Sequence, residues 1–529
     1  MAKRILALVV VALLLSGMMI SGSLAASAGP KELVYGQVNM QAVMDRQITT
    51  YLEAEQICKF IYEGLLYNDP FTGTLEPRLA ESYEVSDDGL VWTFNLRKGV
   101  TFHDGSAFTA DDVKFTYERV LNPDTGALIA EDYEAILGAQ DMLDGVTTEL
   151  EGLKIIDDYT VEITLAEPFA VFGPYSATLQ IYPRGACTEA GDDWGWATMI
   201  GTGPFMLDEH MRDIGLRMTK YDGYWGVKPI IDSVYWKWYD EYNTMFLDYE
   251  AGVLDSLILD AAFIPQYKNS PDFQDQLTYF SPYGHFFIIF NFEMDPWKDN
   301  PKAREAFSYA MDTTSICEDL FDGNFTAASC LLTPDEMGAN PSAPKAYDPE
   351  KAKALLAEAG YPDGIDIEMI TTSLEGTGGK MIIAIQETAA AAGIRITATQ
   401  VDRAVWTEIR NGGQVQCFVA NWYLDINDPD GILYGFFHSN NNPYFSSLYK
   451  SDVYDGLITQ ARRTTDGAAR AELYRQADAL LVEEDFVTVP IAWPNTFYFV
   501  APWLVNFQTE AYTPNLIDCD IDLAAQPAR

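Results

Sequence analysis

Residues 79–113 decide the fold, and they read LAESYEVSDDGLVWTFNLRKGVTFHDGSAFTADDV. Within this stretch, Trp92 to Arg97 alternate apolar and polar side chains, as a half-buried β-strand does. The segment from His103 to Ser106 has the composition of a turn. Thr109 can then cap a helix whose first turn carries two aspartates, because hydroxyl and acidic side chains are favoured at helix N-termini. The stretch therefore predicts a strand, a turn and a helix in close succession.

The rest of the chain mixes the same two kinds of signal. Strand signals return at residues 160–165, 487–491 and 496–500. Asp348 followed by Pro349 predicts a helix start, and Gly360 predicts its end. The apolar spacing over Leu473–Leu481 predicts another amphipathic helix. Because no low-complexity linker or repeat separates these segments, we expect an α/β protein whose domains are interwoven.

Composition excludes several classes of protein. At 529 residues the chain has room for about three domains. Hydrophobic residues make up 48% of it, enough for large packed cores. Lys and Arg number 34 against 78 Asp and Glu, a formal net charge of −44. Such a surface repels phosphate backbones, so we expect no nucleic-acid partner.

The sequence carries no motif of a common catalytic or metal site. It has neither a G-x-S-x-G nucleophile elbow nor an H-E-x-x-H zinc motif, and four histidines leave little for a multi-histidine centre. Gly376–Lys380 resembles a phosphate loop only faintly. We interpret it as a polar turn before the helical run around Ile382–Ile385. These observations favour a binding protein over an enzyme, with no cofactor and no metal.

The N-terminus has the pattern of an export signal. Two basic residues precede an apolar run from Ile5 to Leu15, and small residues follow it. The run is short for a membrane span, so we expect residues 1–28 to be a signal peptide cleaved after Ala25 or Ala28, with an uncleaved anchor as the alternative. No cysteine lies near the end of the run, which disfavours a lipoprotein. We therefore expect a periplasmic or secreted protein.

The six cysteines include no C-x-x-C pair, so zinc ribbons and thioredoxin-type chemistry lack their ligand spacing. An exported chain permits disulfides, and Cys317 and Cys330 are the closest pair in sequence. Buried free thiols are the alternative. Spacing does not decide between them.

The stretch 79–113 closely resembles the extracellular solute-binding proteins of family 5, the peptide-, dipeptide- and nickel-binding receptors of ABC importers. The resemblance continues in the family's order through Gly201–Phe205, Tyr224–Pro229, Ala303–Asp312, Tyr347–Leu356 and Trp422–Asp430. It implies an α/β, two-lobed clamshell of the type II periplasmic-binding-protein kind. It also implies a monomer that delivers its ligand to the permease subunits of a membrane importer.

The resemblance further implies a division of the chain. Lobe I would be discontinuous and consist of residues 29–58, 200–283 and 499–529. A subdomain inserted in lobe I would span residues 59–199, and lobe II would span residues 284–498. Strands would cross between the lobes, and the ligand would bind in the cleft that separates them.

Asp425 is the leading candidate for ligand binding. In peptide-binding relatives, the acidic residue of the matching Trp-x-x-Asp pattern pairs with the ligand's α-amino group, and a desolvated carboxylate is a strong partner for an ammonium. A turn aspartate is the alternative. Asp428 and Asp430 are expected to be turn residues, with ligand binding as their alternative, since Asp-Pro-Asp is an ordinary turn sequence. Trp422 is expected to stack on a ligand side chain, unless it packs in the core. Asn421 and Tyr423 flank it in the same cleft wall.

A second candidate segment lies near the start of the chain. In relatives the segment that corresponds to Thr50 and Tyr51 contributes main-chain hydrogen bonds to the peptide. A receptor for many peptides is expected to hold the ligand's backbone in this way and to leave the side chains in roomy, hydrated pockets.

One departure from the family bears on ligand length. Dipeptide-specific relatives carry an Arg for the ligand's carboxylate in the region that corresponds to residues 369–380. Here that region has no Arg and offers Glu375 and Lys380, and lysine lacks the bidentate fork. A longer peptide therefore fits better than a dipeptide. A nickel or metallophore receptor, for which His438 is available, and a secreted hydrolase are the alternatives.

Overall fold

The computed structural model describes residues 29–38, 42–69, 73–280, 284–424, 426–440, 447–510 and 513–527. Residues 1–28, predicted to be the signal peptide, and Asp425 lie outside these ranges. Within them, no helix has both the length and the apolar character that crossing a membrane requires.

Strands and helices alternate along the chain. The strands are β1 (Glu32–Val38), β2 (Leu66–Asn68), β3 (Leu75–Pro77), β4 (Ala80–Val85), β5 (Val91–Leu96), β6 (Leu153–Asp157), β7 (Thr160–Thr164), β8 (Phe205–Met211), β9 (Gly215–Lys220), β10 (Ser233–Tyr239), β11 (Ser256–Leu259), β12 (Leu277–Phe280), β13 (Gly284–Phe290), β14 (Phe325–Ala327), β15 (Ile365–Thr371), β16 (Ile394–Gln400), β17 (Cys417–Tyr423), β18 (Thr488–Pro494), β19 (Thr496–Val500), β20 (Leu504–Val505), β21 (Gln508–Glu510), β22 (Thr513–Asn515) and β23 (Asp520–Ile521). The α-helices are α1 (Leu52–Ile61), α2 (Ala110–Leu121), α3 (Ala139–Leu143), α4 (Phe172–Thr178), α5 (Arg184–Ala190), α6 (Tyr242–Glu250), α7 (Ile264–Tyr267), α8 (Pro301–Ala310), α9 (Thr313–Ser315), α10 (Pro349–Glu358), α11 (Thr377–Ala389), α12 (Arg403–Asn411), α13 (Asp430–Phe437), α14 (Asp452–Arg463) and α15 (Gly467–Ala479).

A seven-stranded sheet forms the first lobe, which we call lobe I. Its strand order is β12-β19-β11-β1-β10-β9-β8. β1 runs parallel to β10 and β11, whereas the other neighbours are antiparallel. Helix α1 packs its apolar side, including Ile57 and Ile61, into the same buried cluster as Leu33 and Trp236 of the sheet.

A six-stranded sheet forms the second lobe, lobe II, with the order β14-β18-β13-β17-β15-β16. Its β13 reads GHFFIIF, and all seven residues are buried. A continuous apolar run of this kind suits a strand covered on both faces. β13 lies between β17 and β18 and is antiparallel to both.

Two segments of chain cross between the lobes. β12 of lobe I leads to β13 of lobe II, and β18 of lobe II leads through Asn495 to β19 of lobe I. This arrangement agrees with the expected two-lobed clamshell. β19 straddles the boundary predicted between residues 498 and 499, and the proposed domain limits remain predictions.

A four-stranded antiparallel sheet, in the order β4-β5-β7-β6, forms a separate layer with helix α2. Phe94, Val113 and Ile163 share its own buried cluster. We call this unit the inserted subdomain, because the chain enters it after α1 and returns to lobe I at β8.

The local helix signals are confirmed at the starts of α2 and α10 and over Leu473–Leu481, and one signal is wrong. The Asp112 carboxylate accepts from the backbone N–H of Thr109 at the start of α2 (2.9 Å), and Asp348 accepts from the N–H of Lys351 at the start of α10 (2.9 Å). The predicted polar turn at Gly376–Lys380 is instead the first turn of α11, with Gly376 as its N-cap residue.

All six cysteines lie within the described residues, and each is a buried free thiol. Cys317 and Cys330, the closest pair in sequence, contact the backbone carbonyls of Ile491 and Leu332 respectively rather than each other. Burial raises the pKa of both thiols to about 12. The structure thus favours the free-thiol alternative.

Lobe II contains a buried group of titratable side chains beside β13. His285 donates from Nδ1 to the carbonyl of Leu331 (2.9 Å), and its Nε2 lies 3.5 Å from Glu336. Asp478 accepts from the N–H of Leu331 (3.0 Å). Burial raises the pKa of Glu336 to about 8 and that of Asp478 to about 7, and it lowers the pKa of His285 to about 4. Near neutral pH, Glu336 is therefore largely protonated and Asp478 is partly protonated.

We expect the free energy of unfolding to fall as the pH rises from 7.5 to 8.5. In this range the unfolded carboxyl groups have lost their protons and His285 is largely neutral in both states, so the native state, which still holds protons on Glu336 and Asp478, binds more protons than the unfolded state. The expectation is checked by urea unfolding at several pH values. Glu336→Gln should flatten the pH dependence, and Glu472→Gln should not, since the pKa of exposed Glu472 is lowered to about 2 by its bond to Arg475. A native stability that rises over this range would contradict the assignment.

Candidate functional site

The two lobes face each other across a cleft lined by helix N-termini. Lobe I presents the start of α1, the start of α6 and the loop after β11. Lobe II presents the starts of α11 and α12 and the end of β17. Side chains from these elements meet directly, so the structure is a closed form of the clamshell.

Tyr51, predicted to bind ligand, bridges the lobes from the N-cap position of α1. The Arg403 guanidinium lies over its ring, 4.7 Å from the ring centroid, and its hydroxyl lies 3.5 Å from Oγ1 of Thr407. Burial raises the pKa of Tyr51, but the bond to Thr407 and the charge of Arg403 outweigh burial and hold it below its ordinary value. Thr50 is half-buried directly before it.

Glu53 was missed by the sequence reading. It lies in the first turn of α1, and burial raises the pKa of its carboxyl group while the charge of Arg403 opposes the rise. Burial raises the pKa of Tyr242 at the start of α6, and the charges of Asp260 and Glu53 add to the rise. An acidic group of lobe I therefore faces a basic group of lobe II across the cleft. Their separation of 350 positions in the chain leaves no local signal of this pairing.

A second contact between the lobes joins the loop after β11 to α11. Asp260 accepts from the backbone N–H and the hydroxyl of Thr377 (3.1 and 2.7 Å). Lys380 donates to the carbonyl of Ala262 (2.8 Å) and lies over the ring of Phe263. Lys380, the cation considered for a ligand carboxylate, is thus bound to the opposite lobe. Glu375 is exposed.

The end of β17 carries three of the predicted ligand-binding residues on alternate faces. The ring of Trp422 packs edge-on against Phe436 (5.1 Å), which supports the packing alternative. Tyr423 lies on the other face, and burial raises its pKa to about 12, with Asp260 adding to the rise. A Cβ at Gly284, its partner on β13, would lie 2.7 Å from the Tyr423 ring, so only glycine fits there. Asn421 is exposed on the same face as Tyr423.

Asp425 lies outside the described residues, so its expected role stays a prediction. The two aspartates that follow it are not surface turn residues. Asp428 forms a two-pronged pair with Arg470 (2.6 and 2.8 Å), and Asp430 accepts from the hydroxyl of Tyr175 (2.9 Å) in the inserted subdomain. Both carboxylates are buried and hold the fold together.

Arg462 connects lobe II to the inserted subdomain. Its Nη1 donates to Glu134 (2.7 Å), and its Nε lies 3.3 Å from Asp430. The guanidinium also stacks over the ring of Tyr434, 3.6 Å from the centroid. The inserted subdomain thus contributes to the closed form through a buried charge cluster.

His438, the residue considered for metal binding, is engaged within lobe II. Its Nδ1 accepts from the N–H of Asn440 (3.3 Å), and its ring packs against Tyr434 (4.7 Å). In the described part of the chain, no group of three or more His, Cys, Asp and Glu side chains is placed to hold a metal ion.

Two lobes joined by crossing strands, with polar groups from both lobes meeting in the cleft, define the class of clamshell solute-binding proteins. Residues 74–444 match the model of the bacterial extracellular solute-binding proteins, family 5 Middle, and the chain belongs to this family. It is a binding protein and not an enzyme, and it is exported.

Relatives and solved structures agree with this assignment. The glutathione-binding protein GsiB of Salmonella paratyphi A is 30% identical over 455 residues, which cover 82% of this chain and 83% of that protein. The periplasmic binding protein DppA from Helicobacter pylori, in complex with the peptide STSA, has a TM-score of 0.82 at 24% identity and covers 93% of this chain and 98% of its own. The PBP AgaA from A. tumefaciens R10, in complex with agropinic acid, has a TM-score of 0.79 at 26% identity and covers 93% and 99%. The expected fold class and family are confirmed.

Proposed function

We propose that this protein is the receptor of an ABC importer that binds peptides in the cleft between its lobes and delivers them to the membrane permease. The observation that carries the proposal is the cleft itself, where Glu53 and Arg403 place opposite charges on opposite walls. A peptide is a zwitterion, so opposite charges on the two walls suit its two ends. Glutathione and the peptide STSA, bound by GsiB and DppA, are ligands of this chemical class.

In this proposal Asp425, Asn421, Trp422 and Tyr423 form the lobe II wall, and Thr50 and Tyr51 form the lobe I wall. Asp425 pairs with the α-amino group of the ligand. Closure removes water from this pair and strengthens it, because the interaction between charges grows as the local dielectric falls. A ligand shifts the balance toward the closed form only by binding that form more tightly.

Replacing Asp425 by alanine tests the proposal. We expect affinity for peptides with free N-termini to fall by about 2–4 kcal/mol, or roughly 30- to 1,000-fold, because the ammonium loses its buried partner. Isothermal titration calorimetry with a tripeptide and a tetrapeptide measures the change. Asp335→Ala, at an exposed position of lobe II, is the matched control and should bind as the native protein does. Equal affinity of the native protein for free and N-acetylated peptides would contradict the role of Asp425.

A small acidic non-peptide solute is a second candidate, favoured by the 26% identity to AgaA, whose structure holds agropinic acid. Mass spectrometry of ligands released from the purified native protein separates the two candidates. We further propose that residues 1–28 direct export as a signal peptide and that the mature protein acts as a monomer, which light scattering checks.

A further inference from the structure

The loop that follows β11 carries an aspartate with partners in both lobes. Within lobe I, Asp260 caps its own short 3₁₀ turn by accepting from the N–H of Ala262 (2.9 Å). The hydroxyl of Tyr242, at the start of α6, donates to the same carboxylate. These two bonds fix the direction in which Asp260 points.

That direction is toward the N-terminus of α11 in lobe II. The N-cap residue of α11 is Gly376, which has no side chain to satisfy the first backbone N–H groups of the helix. Asp260 takes this place from the other lobe. Both of its oxygens lie within hydrogen-bond distance of the N–H of Thr377 (3.1 and 3.3 Å), and one accepts from the Thr377 hydroxyl (2.7 Å). Thr377 is 8% exposed, so the contact is shielded from water.

A second bond runs in the opposite direction between the same two elements. Lys380, in the first turn of α11, donates to the carbonyl of Ala262 (2.8 Å). The carboxylate of lobe I thus meets the positive end of the α11 dipole, and the ammonium of lobe II meets a carbonyl of lobe I. The charge of each of these two side chains is therefore complementary to the group that the opposite lobe presents to it.

We propose that Asp260 is a helix cap delivered from lobe I to α11 of lobe II, which stabilises the closed form and keeps ligand carboxylates away from the α11 N-terminus. An anion-binding helix end is an obvious place for a ligand's C-terminal carboxylate. Here the protein's own carboxylate fills it. This inference rests on the proposed peptide-binding function, and it adds that the ligand's C-terminus is not recognised at α11.

The first test needs no ligand. Small-angle X-ray scattering of unliganded Asp260→Ala should give a larger radius of gyration than the native protein, because the closed form loses its cap. Asp275→Ala, at an exposed position in the same lobe, should match the native profile. An Asp260→Ala profile that superimposes on the native one would overturn the proposal.

The second test uses a tetrapeptide with a free or an amidated C-terminus. The native protein should bind both equally, whereas a loss of about tenfold or more on amidation, the effect expected for a charge-assisted bond at the carboxylate, would overturn the proposal. Asp260→Ala should weaken both peptides by about 10- to 100-fold. In the Thr377→Val background the same substitution should have a much smaller effect, since the two residues act as one contact.

The outcomes separate this inference from the proposed function. A larger radius of gyration in Asp260→Ala, together with no binding of any peptide, would support the cap and contradict the proposed peptide-binding function. Peptide binding that depends on a free C-terminus would support the proposed function and contradict the role of Asp260 as the cap of α11. Additive effects of Asp260→Ala and Thr377→Val also count against the cap.

Discussion

Replacing Arg470 by alanine is expected to lower the free energy of unfolding by about 3–5 kcal/mol. Arg470 holds Asp428 through two parallel hydrogen bonds, and both side chains are buried in lobe II. Without Arg470, the buried Asp428 carboxylate still carries its desolvation penalty but no longer has a counter-charge. The hydroxyl of Tyr474, which lies 3.3 Å from Asp428, offers a hydrogen bond but no charge. Urea unfolding followed by circular dichroism measures the loss.

The same helix supplies the control. Arg475 pairs with Glu472 one turn away, and both side chains are about half exposed. Because water and salt screen such pairs, Arg475→Ala should cost far less than Arg470→Ala. Equal destabilisation by Arg470→Ala and Arg475→Ala would contradict the expectation that burial determines how much the Asp428–Arg470 pair contributes to stability.

The second large effect is expected for Arg462→Met, which should cost about 3–5 kcal/mol by leaving buried Asp430 without its counter-charge. The change also removes the bond to Glu134, so the inserted subdomain loses its charged link to lobe II. Methionine keeps an unbranched apolar stem but removes the charge and the guanidinium that lies over Tyr434. Thermal unfolding followed by tryptophan fluorescence gives the change in stability.

Arg463→Met is the control for this link, because the neighbouring Arg463 pairs with Glu167 of the same subdomain on the exposed side (2.6 Å). Its loss should change stability by less than about 1 kcal/mol. A large effect of Arg463→Met would show that the surface pair, and not the buried cluster, joins the subdomain to lobe II.

Local structure was predictable where neighbours along the chain decide it. Thr109 with its acidic first turn, and Asp348 with Pro349, marked the starts of α2 and α10 because a cap and its helix are adjacent in sequence. The start of α11 was missed for the converse reason. Its cap, Asp260, lies 117 positions earlier in the chain, and Gly376 alone looks like part of a turn.

The residues of the candidate site were likewise predictable only where the sequence itself identifies them, and not where distant segments meet. Tyr51 could be named from the sequence through the family resemblance, and the structure places it between the lobes. Glu53 and Arg403 could not be named from the sequence, because they face each other only when closure brings α1 and α12 together. Asp428 and Asp430 were read as turn residues because their partners Arg470 and Arg462 lie on later helices.

The buried thiols have a practical consequence for following lobe motion. Since all six native cysteines are shielded and carry raised pKa values, maleimide dyes will react first with any cysteine introduced at the surface. Val227 on lobe I and Val453 on lobe II are 71% and 66% exposed and are suitable positions. A donor and an acceptor fluorophore there would report clamshell opening by energy transfer, one molecule at a time, without first removing a single native cysteine.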